Sequence, residues 1–168
     1  MATSRFSANH GIVPMALPVV DNGNAGFTTD SVDMSKYNHA TLLFIFNADY
    51  AGTGVLTMNA GLADAGTDAI PVFTYRYGGA AAGSASADVL SAPTVVESTT
   101  LNLAHTTYAG RILVIEVDAE DMVVSGVQYR YLSATLSDAG TDGEIAVIGI
   151  LSEPRYAKGI MPTAIPTS

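Results

Sequence analysis

The sequence predicts an all-β protein: an antiparallel, jelly-roll-like β-sandwich of about eight strands with an extended arm at each end. Side chains in the middle of the chain alternate with period two, Gly, Asn, Asp and Pro separate the alternating stretches, and there is no long amphipathic helix. We place the N-terminal arm at residues 1–38, the sandwich domain at 39–153 and the C-terminal arm at 154–168.

The strands are predicted from two patterns. Alternating segments predict half-buried strands, and continuous apolar runs of strand length predict central strands covered on both sides. The alternating segments are 53–62, 111–118 and 127–136, the continuous runs are 41–47 and 145–151, a further strand is at 70–77, and weaker strands are at 88–90 and 94–101. Residues 49–54 predict a hairpin loop, residues 78–87 a flexible Gly/Ala-rich loop, and residues 118–122 one helical turn.

The two ends of the chain are apolar and interrupted by prolines. Residues 11–20 and 154–168 are poor helix formers, because proline removes a backbone donor and clashes with the preceding turn. Extended arms with aliphatic side chains gain little from lying in water. We therefore expect another subunit or another protein to cover them.

Composition excludes several function classes. The chain has 168 residues, 48% of them hydrophobic and 14% charged, which is typical of one folded domain. Its net charge of -9 lies entirely between residues 39 and 152, so we expect no binding to nucleic acid. No apolar run approaches the ~20 residues that cross a bilayer, so we expect no membrane partner. The start lacks a secretory signal, which favours synthesis in the cytoplasm.

Candidate catalytic and metal sites are weak. The chain has no cysteine, its three histidines are far apart in sequence, and no serine-hydrolase elbow is present, so we expect neither an enzyme nor a zinc protein. The repeated loops 62–68 and 136–142 share the sequence Asp-Ala-Gly-Thr-Asp. Each loop supplies two carboxylates, fewer ligands than calcium requires, so we interpret both as connecting turns and expect no cofactor.

Several tyrosines suggest an alternative function. Jelly rolls bind glycans through exposed aromatic rings, and the chain has two i, i+2 tyrosine pairs, although it has no tryptophan. The residues in question are Tyr50, Tyr75, Tyr77, Tyr129 and Tyr131. A glycan-binding jelly-roll module is therefore an alternative function, and sheet packing is the ordinary use of such residues.

The layout of the chain resembles the head decoration, or capsid cement, proteins of tailed bacteriophages. The features that carry this resemblance span nearly the whole chain in order. They are residues 5–9 with Ile12 and Val13, residues 27–34, residues 40–47, residues 114–122 and residues 148–156. The tail beyond residue 156 and the Gly/Ala loop depart from that pattern.

The resemblance implies a β-sandwich that binds the outer capsid surface, commonly as a homotrimer, and holds neighbouring major capsid protein subunits together. The alternatives are a glycan-binding jelly-roll module on the virion surface and a tail or neck component of the virion. From their place in the arms, the residues expected at the capsid or subunit interface are Phe6, Ile12, Val13, Leu17, Val19, Arg155, Tyr156, Ile160, Met161 and Ile165.

Overall fold

Two antiparallel sheets pack face to face in the computed structural model, which describes residues 6–19, 22–79, 89–140 and 143–155. The strands are β1 (Gly11–Ala16), β2 (Phe27–Thr28), β3 (Val32–Asp33), β4 (Tyr37–Phe46), β5 (Thr53–Gly61), β6 (Asp68–Ala69), β7 (Phe73–Gly78), β8 (Thr94–Val96), β9 (Thr100–Ala104), β10 (Ile112–Asp118), β11 (Val123–Val124), β12 (Val127–Gln128), β13 (Tyr131–Leu136) and β14 (Ile145–Pro154). The helices are α1 (Phe6–Asn9), α2 (Asn22–Ala25) and α3 (His105–Tyr108), with 3-10 turns at Met34–Lys36 and Ala119–Asp121. None of the described helices is long and apolar enough to span a membrane.

The first sheet has six strands in the order β1-β14-β4-β10-β7-β8. In the second sheet β13 pairs with β2 and β3 on one side and with β5 on the other, and β5 also pairs with β6 and β9. The small hairpin β11-β12 stands apart from both sheets. All these pairs are antiparallel, which confirms the predicted all-β sandwich.

The core lies between the sheets and follows the alternation of the sequence. In β4 the even-numbered residues Leu42, Phe44 and Phe46 point inward, and β5 contributes Leu56 and Met58 from the opposite sheet. Burying each such side chain contributes roughly 1.5–3 kcal/mol. The period-two pattern therefore fixes which side of each strand faces the core.

The predicted hairpin at residues 49–54 is wrong. The strand before this loop, β4, belongs to the first sheet, whereas β5 belongs to the second, so the loop crosses from one sheet to the other. Tyr50 lies buried at this corner, where its hydroxyl donates to the carbonyl of Leu103 at 2.9 Å and accepts from the N–H of Gly54 at 3.1 Å. A buried aromatic anchor makes this connection a corner of the sandwich.

The N-terminal segment 1–38 differs from the predicted arm. Residues 11–16 form β1, an edge strand paired with β14, and β2 and β3 belong to the second sheet. Pro14 is compatible with an edge strand, since its missing donor costs no ladder bond there. The reason for the difference is that Val13 and Met15 alternate inward and cover part of the sandwich's own core. The C-terminal arm beyond residue 155 lies outside the described residues.

Candidate functional site

The outward surface of the first sheet is aliphatic across four neighbouring strands. We call this surface the aliphatic face. Its residues are Ile12 and Pro14 of β1, Ala146, Ile148 and Ile150 of β14, Leu43 and Ile45 of β4, and Ile112 and Val114 of β10. Of these, Val114 is only 8% exposed.

Strand register aligns these side chains into rows. Pro14 pairs with Ile148, Ile148 with Leu43, and Leu43 with Val114, so one row crosses all four strands. A parallel row joins Ala146, Ile45 and Ile112. Ile45 remains 40% exposed and Ile12 48% exposed, although both lie in strands of the main sheet. Contiguous apolar patches of this kind are typical of interaction sites.

Three further exposed apolar side chains flank β1. Phe6 precedes the strand and stacks on the ring of His10 at a centroid distance of 4.0 Å, whereas Leu17 and Val19 follow the strand and are 68% and 61% exposed. We call Phe6, Leu17 and Val19 the N-terminal apolar residues. Together with Ile12 they extend the apolar surface to the edge of the sandwich.

The ten interface residues expected from the sequence separate into three groups. Phe6, Ile12, Leu17 and Val19 are exposed, whereas Val13 is buried in the protein's own core, so its assignment to an interface is wrong. Arg155 is exposed and its backbone N–H donates to the carbonyl of Lys36. The last group, Tyr156, Ile160, Met161 and Ile165, lies outside the described residues.

One end of the aliphatic face is polar. His39 Nδ1 lies 2.7 Å from Asp118 Oδ1, and His39 Nε2 lies 3.3 Å from the hydroxyl of Thr41. This order of hydroxyl, imidazole and carboxylate is the order found in nucleophilic triads. Thr41, however, sits in the centre of a sheet, where β14 and β10 occupy the backbone groups on both sides of β4. No backbone donor there is free to stabilise an oxyanion.

The two acidic loops act as turns in their described parts. The carboxylate of Asp64 accepts a hydrogen bond from the N–H of Ala65, and that of Asp138 accepts one from the N–H of Gly140. Asp142 lies outside the described residues. Within the described parts of the chain, no three His, Asp or Glu side chains are grouped as metal ligands.

The tyrosines do not form an exposed aromatic platform. Tyr50 is buried at the sheet corner, and burial raises the pKa of its hydroxyl. Tyr75 and Tyr77 are half-buried and pack against the core, where the ring centroids of Tyr77 and Tyr108 lie 5.6 Å apart. Tyr131 is half-buried with a guanidinium, that of Arg130, 5.0 Å from its ring centroid. Tyr129 also packs against the core, so of the five tyrosines only Tyr131 has no part in it.

A bidentate ion pair fixes β3 beside the end of β13. Arg130 donates to both carboxylate oxygens of Asp33, at 2.8 and 2.6 Å, and the N–H of Ser35 donates to the same carboxylate. Burial alone would raise the pKa of Asp33, but these hydrogen bonds outweigh it and hold the pKa at about 2. The pair is a structural element of the second sheet.

The aliphatic face could not be predicted from the sequence, because it is formed by the pairing of strands that are distant in the chain. Residues 41–47 and 145–151 predict strands covered on both sides, and the structure places them side by side as β4 and β14. Leu43, Ile148 and Ile150 are partly exposed, so their outward side has no full cover among the described residues. The signal was present, but only the pairing of the strands turns separate apolar residues into one surface.

Comparison with known proteins does not assign the chain to a family. No protein-family model matches it, and no curated protein matches it by sequence. Among solved structures, the structure of infectious bursal disease virus Gt strain aligns with 89% of this chain and 37% of that chain, at 10% sequence identity and a TM-score of 0.22. A likeness at that level carries no weight in the function proposed below.

Proposed function

We propose that the protein is a non-enzymatic structural protein of a phage virion, which binds the outer capsid surface and holds neighbouring major capsid protein subunits together. The observation that carries the proposal is the exposure of the N-terminal apolar residues Phe6, Leu17 and Val19 at one edge of an acidic sandwich. The resemblance to head decoration proteins supports the proposal, because Phe6 lies in residues 5–9, one of the segments that carry that resemblance.

The strength of this attachment follows from the size of the exposed side chains. Burying one of them on a partner contributes roughly 1.5–3 kcal/mol, so three contribute on the order of 6 kcal/mol. Association itself costs an estimated 4–15 kcal/mol. A single copy therefore binds weakly, and the homotrimer that the resemblance implies would raise retention through effective concentration.

The charge distribution supports an orientation on the particle. The net charge of -9 lies in the region from 39 to 152, whereas the N-terminal segment is nearly neutral. An acidic sandwich is repelled by nucleic acid and by an anionic membrane, whereas neutral apolar residues gain from burial on a protein surface. We place the sandwich outside the capsid shell, after synthesis in the host cytoplasm, with no nucleic-acid or membrane partner and no cofactor.

The proposal is tested by retention on undecorated phage heads. Purified protein is mixed with heads, the heads are sedimented, and the bound fraction is measured at several salt concentrations. We expect retention that persists at high salt, since apolar contacts are not screened. The double variant Leu17→Asp with Val19→Asp should lose retention, whereas Thr100→Asp, an exposed position on the second sheet, should keep it.

Two outcomes would count against capsid attachment. One is the absence of wild-type protein from the sedimented heads, and the other is equal retention of the double variant. Binding to purified tails in place of heads would favour the tail or neck alternative. We do not propose the glycan-binding alternative, because Tyr50 is buried and at least one member of each tyrosine pair packs against the core: Tyr75 and Tyr77 in the first pair, and Tyr129 in the second.

A further inference from the structure

We infer that Asn22 is a deamidation site, and that its conversion to aspartate releases the loop that carries Leu17 and Val19 from the edge of the sandwich. Asn22 is followed by Gly23, and this is the only Asn-Gly pair in the sequence. The consequence for capsid attachment rests on the proposed function, whereas the reaction and its effect on the fold do not.

The side-chain amide of Asn22 holds the start of β14 at two points. Its Nδ2 donates to the carbonyl of Ile145 at 2.7 Å, and its Oδ1 accepts from the N–H of the same residue at 2.8 Å. An asparagine can make both contacts because its amide carries a donor and an acceptor side by side. Since β1 pairs with β14 only as far as Val147, this side chain takes the place of a neighbouring strand at Ile145.

Asn22 also closes the loop that presents Leu17 and Val19. The backbone N–H of Asn22 donates to the carbonyl of Val19 at 3.2 Å, and Nδ2 lies 3.5 Å from the carbonyl oxygen of Leu17. One residue therefore joins this loop to β14. We expect loss of its amide to free Leu17 and Val19 from the edge of the sandwich.

Packing requires glycine at the next position. Gly23 is buried in α2, where its N–H donates to the carbonyl of Gly143 at 3.0 Å and its own carbonyl accepts from the N–H of Ala139 at 3.1 Å. A Cβ at this position would lie 3.1 Å from the carbonyl oxygen of Gly143, closer than ordinary van der Waals contact. Both members of the Asn-Gly pair are thus set by contacts of the fold.

The same pair of residues is chemically labile. The backbone nitrogen of Gly23 can attack the side-chain carbonyl carbon of Asn22, which forms a new C–N bond and closes a five-membered succinimide. The attacking nitrogen gives up its proton, and the side-chain amide leaves as ammonia. Water then opens the ring to aspartate or isoaspartate. Glycine favours this attack because it has no Cβ beside the nitrogen and moves freely in φ and ψ.

The folded structure opposes the reaction and makes it irreversible once it has occurred. The nitrogen of Gly23 is engaged with Gly143, and both polar atoms of the Asn22 amide are engaged with Ile145, so attack requires local opening of α2. The carboxylate of the product accepts hydrogen bonds but cannot donate. It would therefore set a charged oxygen against the carbonyl oxygen of Ile145 and leave that carbonyl without its donor.

The first test measures deamidation of the full-length wild-type chain by mass spectrometry. Trypsin releases residues 6–36, so one peptide reports Asn22 and Asn24 together. At mildly alkaline pH we expect deamidation of Asn22 to be at least about 10-fold slower in buffer than in denaturing guanidinium chloride. In denaturant Asn22 should react faster than Asn24, which precedes alanine. Equal rates of Asn22 in the two solvents would overturn the inference, as would a faster reaction at Asn24 in denaturant.

The second test compares Asn22→Asp, which reproduces the product, with Asn24→Asp. The control adds the same charge at an exposed position of the same helix. We expect the melting temperature to fall by at least about 4 °C in Asn22→Asp and by less than about 2 °C in Asn24→Asp. Hydrogen exchange at the N–H of Ile145 should accelerate at least about 10-fold in Asn22→Asp alone. Equal melting temperatures and equal exchange would overturn the inference. If Asn22→Asp fails to fold, the deamidation rates decide, because they need no variant.

Retention on phage heads separates this inference from the proposed function. If Leu17 and Val19 bind the shell, Asn22→Asp should weaken retention on the order of 10-fold, because a freed loop must be ordered again on binding. Asn24→Asp should be retained like the wild type. A wild-type chain that is not retained refutes capsid attachment and leaves the deamidation and melting results in place. Equal retention of the wild type and Asn22→Asp would overturn the release of the loop.

Discussion

The substitution Met15→Ala distinguishes an edge strand from an arm that is free of the sandwich. Met15 is 2% exposed, and its sulfur lies against Gly149 of β14, so truncation leaves a cavity between the sheets. Buried Met→Ala changes cost 2–5 kcal/mol, and we expect about 3 kcal/mol here. For a chain of this length, that loss lowers the melting temperature by about 6–12 °C.

The matched control for this prediction is Leu17→Ala. Leu17 has a side chain of similar size two residues further along and is 68% exposed, so its truncation should change the free energy of unfolding by less than about 0.5 kcal/mol. Because the chain has no tryptophan, the assay is thermal and urea unfolding followed by far-UV circular dichroism. Equal effects of the two substitutions would refute the assignment of residues 11–16 to the sandwich.

Three further predictions concern the ion pair, the glycine contacts and the sheet corner. Because the pKa of Asp33 is lowered from 3.8 to about 2, its contribution to the free energy of unfolding is present above pH ~4 and is lost as the pH falls through about 2. Asp33→Asn should therefore cost on the order of 1 kcal/mol at pH 7, a value reduced for solvent screening, and this cost should disappear near pH 2. The assay is chemical unfolding at both pH values, with Asp30→Asn, at an exposed position, as the control. Gly61→Ala should cost about 3 kcal/mol or more, because the new Cβ would lie 2.5 Å from backbone, whereas in Gly149→Ala the new Cβ would lie against a flexible thioether and the cost should be about 1 kcal/mol. Equal melting temperatures of the two variants would contradict this. Tyr50→Phe should cost about 1–3 kcal/mol in urea unfolding, because it leaves a buried carbonyl and a buried N–H without a partner, and an unchanged unfolding midpoint would argue against the sheet corner.

The strands could be predicted where apolar and polar side chains alternate over seven or more residues. Residues 53–62 and 111–118 match β5 and β10 closely, because a half-buried strand must place every second side chain in the core. The predicted helical turn at 118–122 corresponds to the 3-10 turn at Ala119–Asp121. The predicted strand at 127–136 is divided into β12 and β13, because the chain changes partners between them: the N–H of Tyr129 donates to the carbonyl of Met122, whereas the N–H of Arg130 donates to the carbonyl of Gly61.

Pairing between strands was not predictable to the same degree. The residues after β4 have hairpin composition, yet the chain changes sheet there, because the contact that decides the path is Tyr50 with Leu103, 53 residues away. For β1, prolines suggested an arm, although Val13 and Met15 already alternate with Ile12 and Pro14. Local composition describes a turn or a break, whereas the location of a strand depends on long-range burial.

The candidate site was predictable in part for the same reason. Exposed Phe6, Leu17 and Val19 were expected from their position in the N-terminal segment, which has few charges. The aliphatic face required knowledge that β14 lies between β1 and β4, so that Ile148 becomes a neighbour of both Pro14 and Leu43. The sequence of a single strand does not reveal a surface that four strands form together.

The most direct test of capsid attachment is a cryo-EM reconstruction of the decorated particle at side-chain resolution. We expect the sandwich on the outside of the shell, with Phe6, Leu17 and Val19 in contact with the major capsid protein and with Thr28 and Thr100 of the second sheet facing solvent. A reconstruction in which these three residues face solvent, or in which the protein is absent from the shell, would contradict the proposed function.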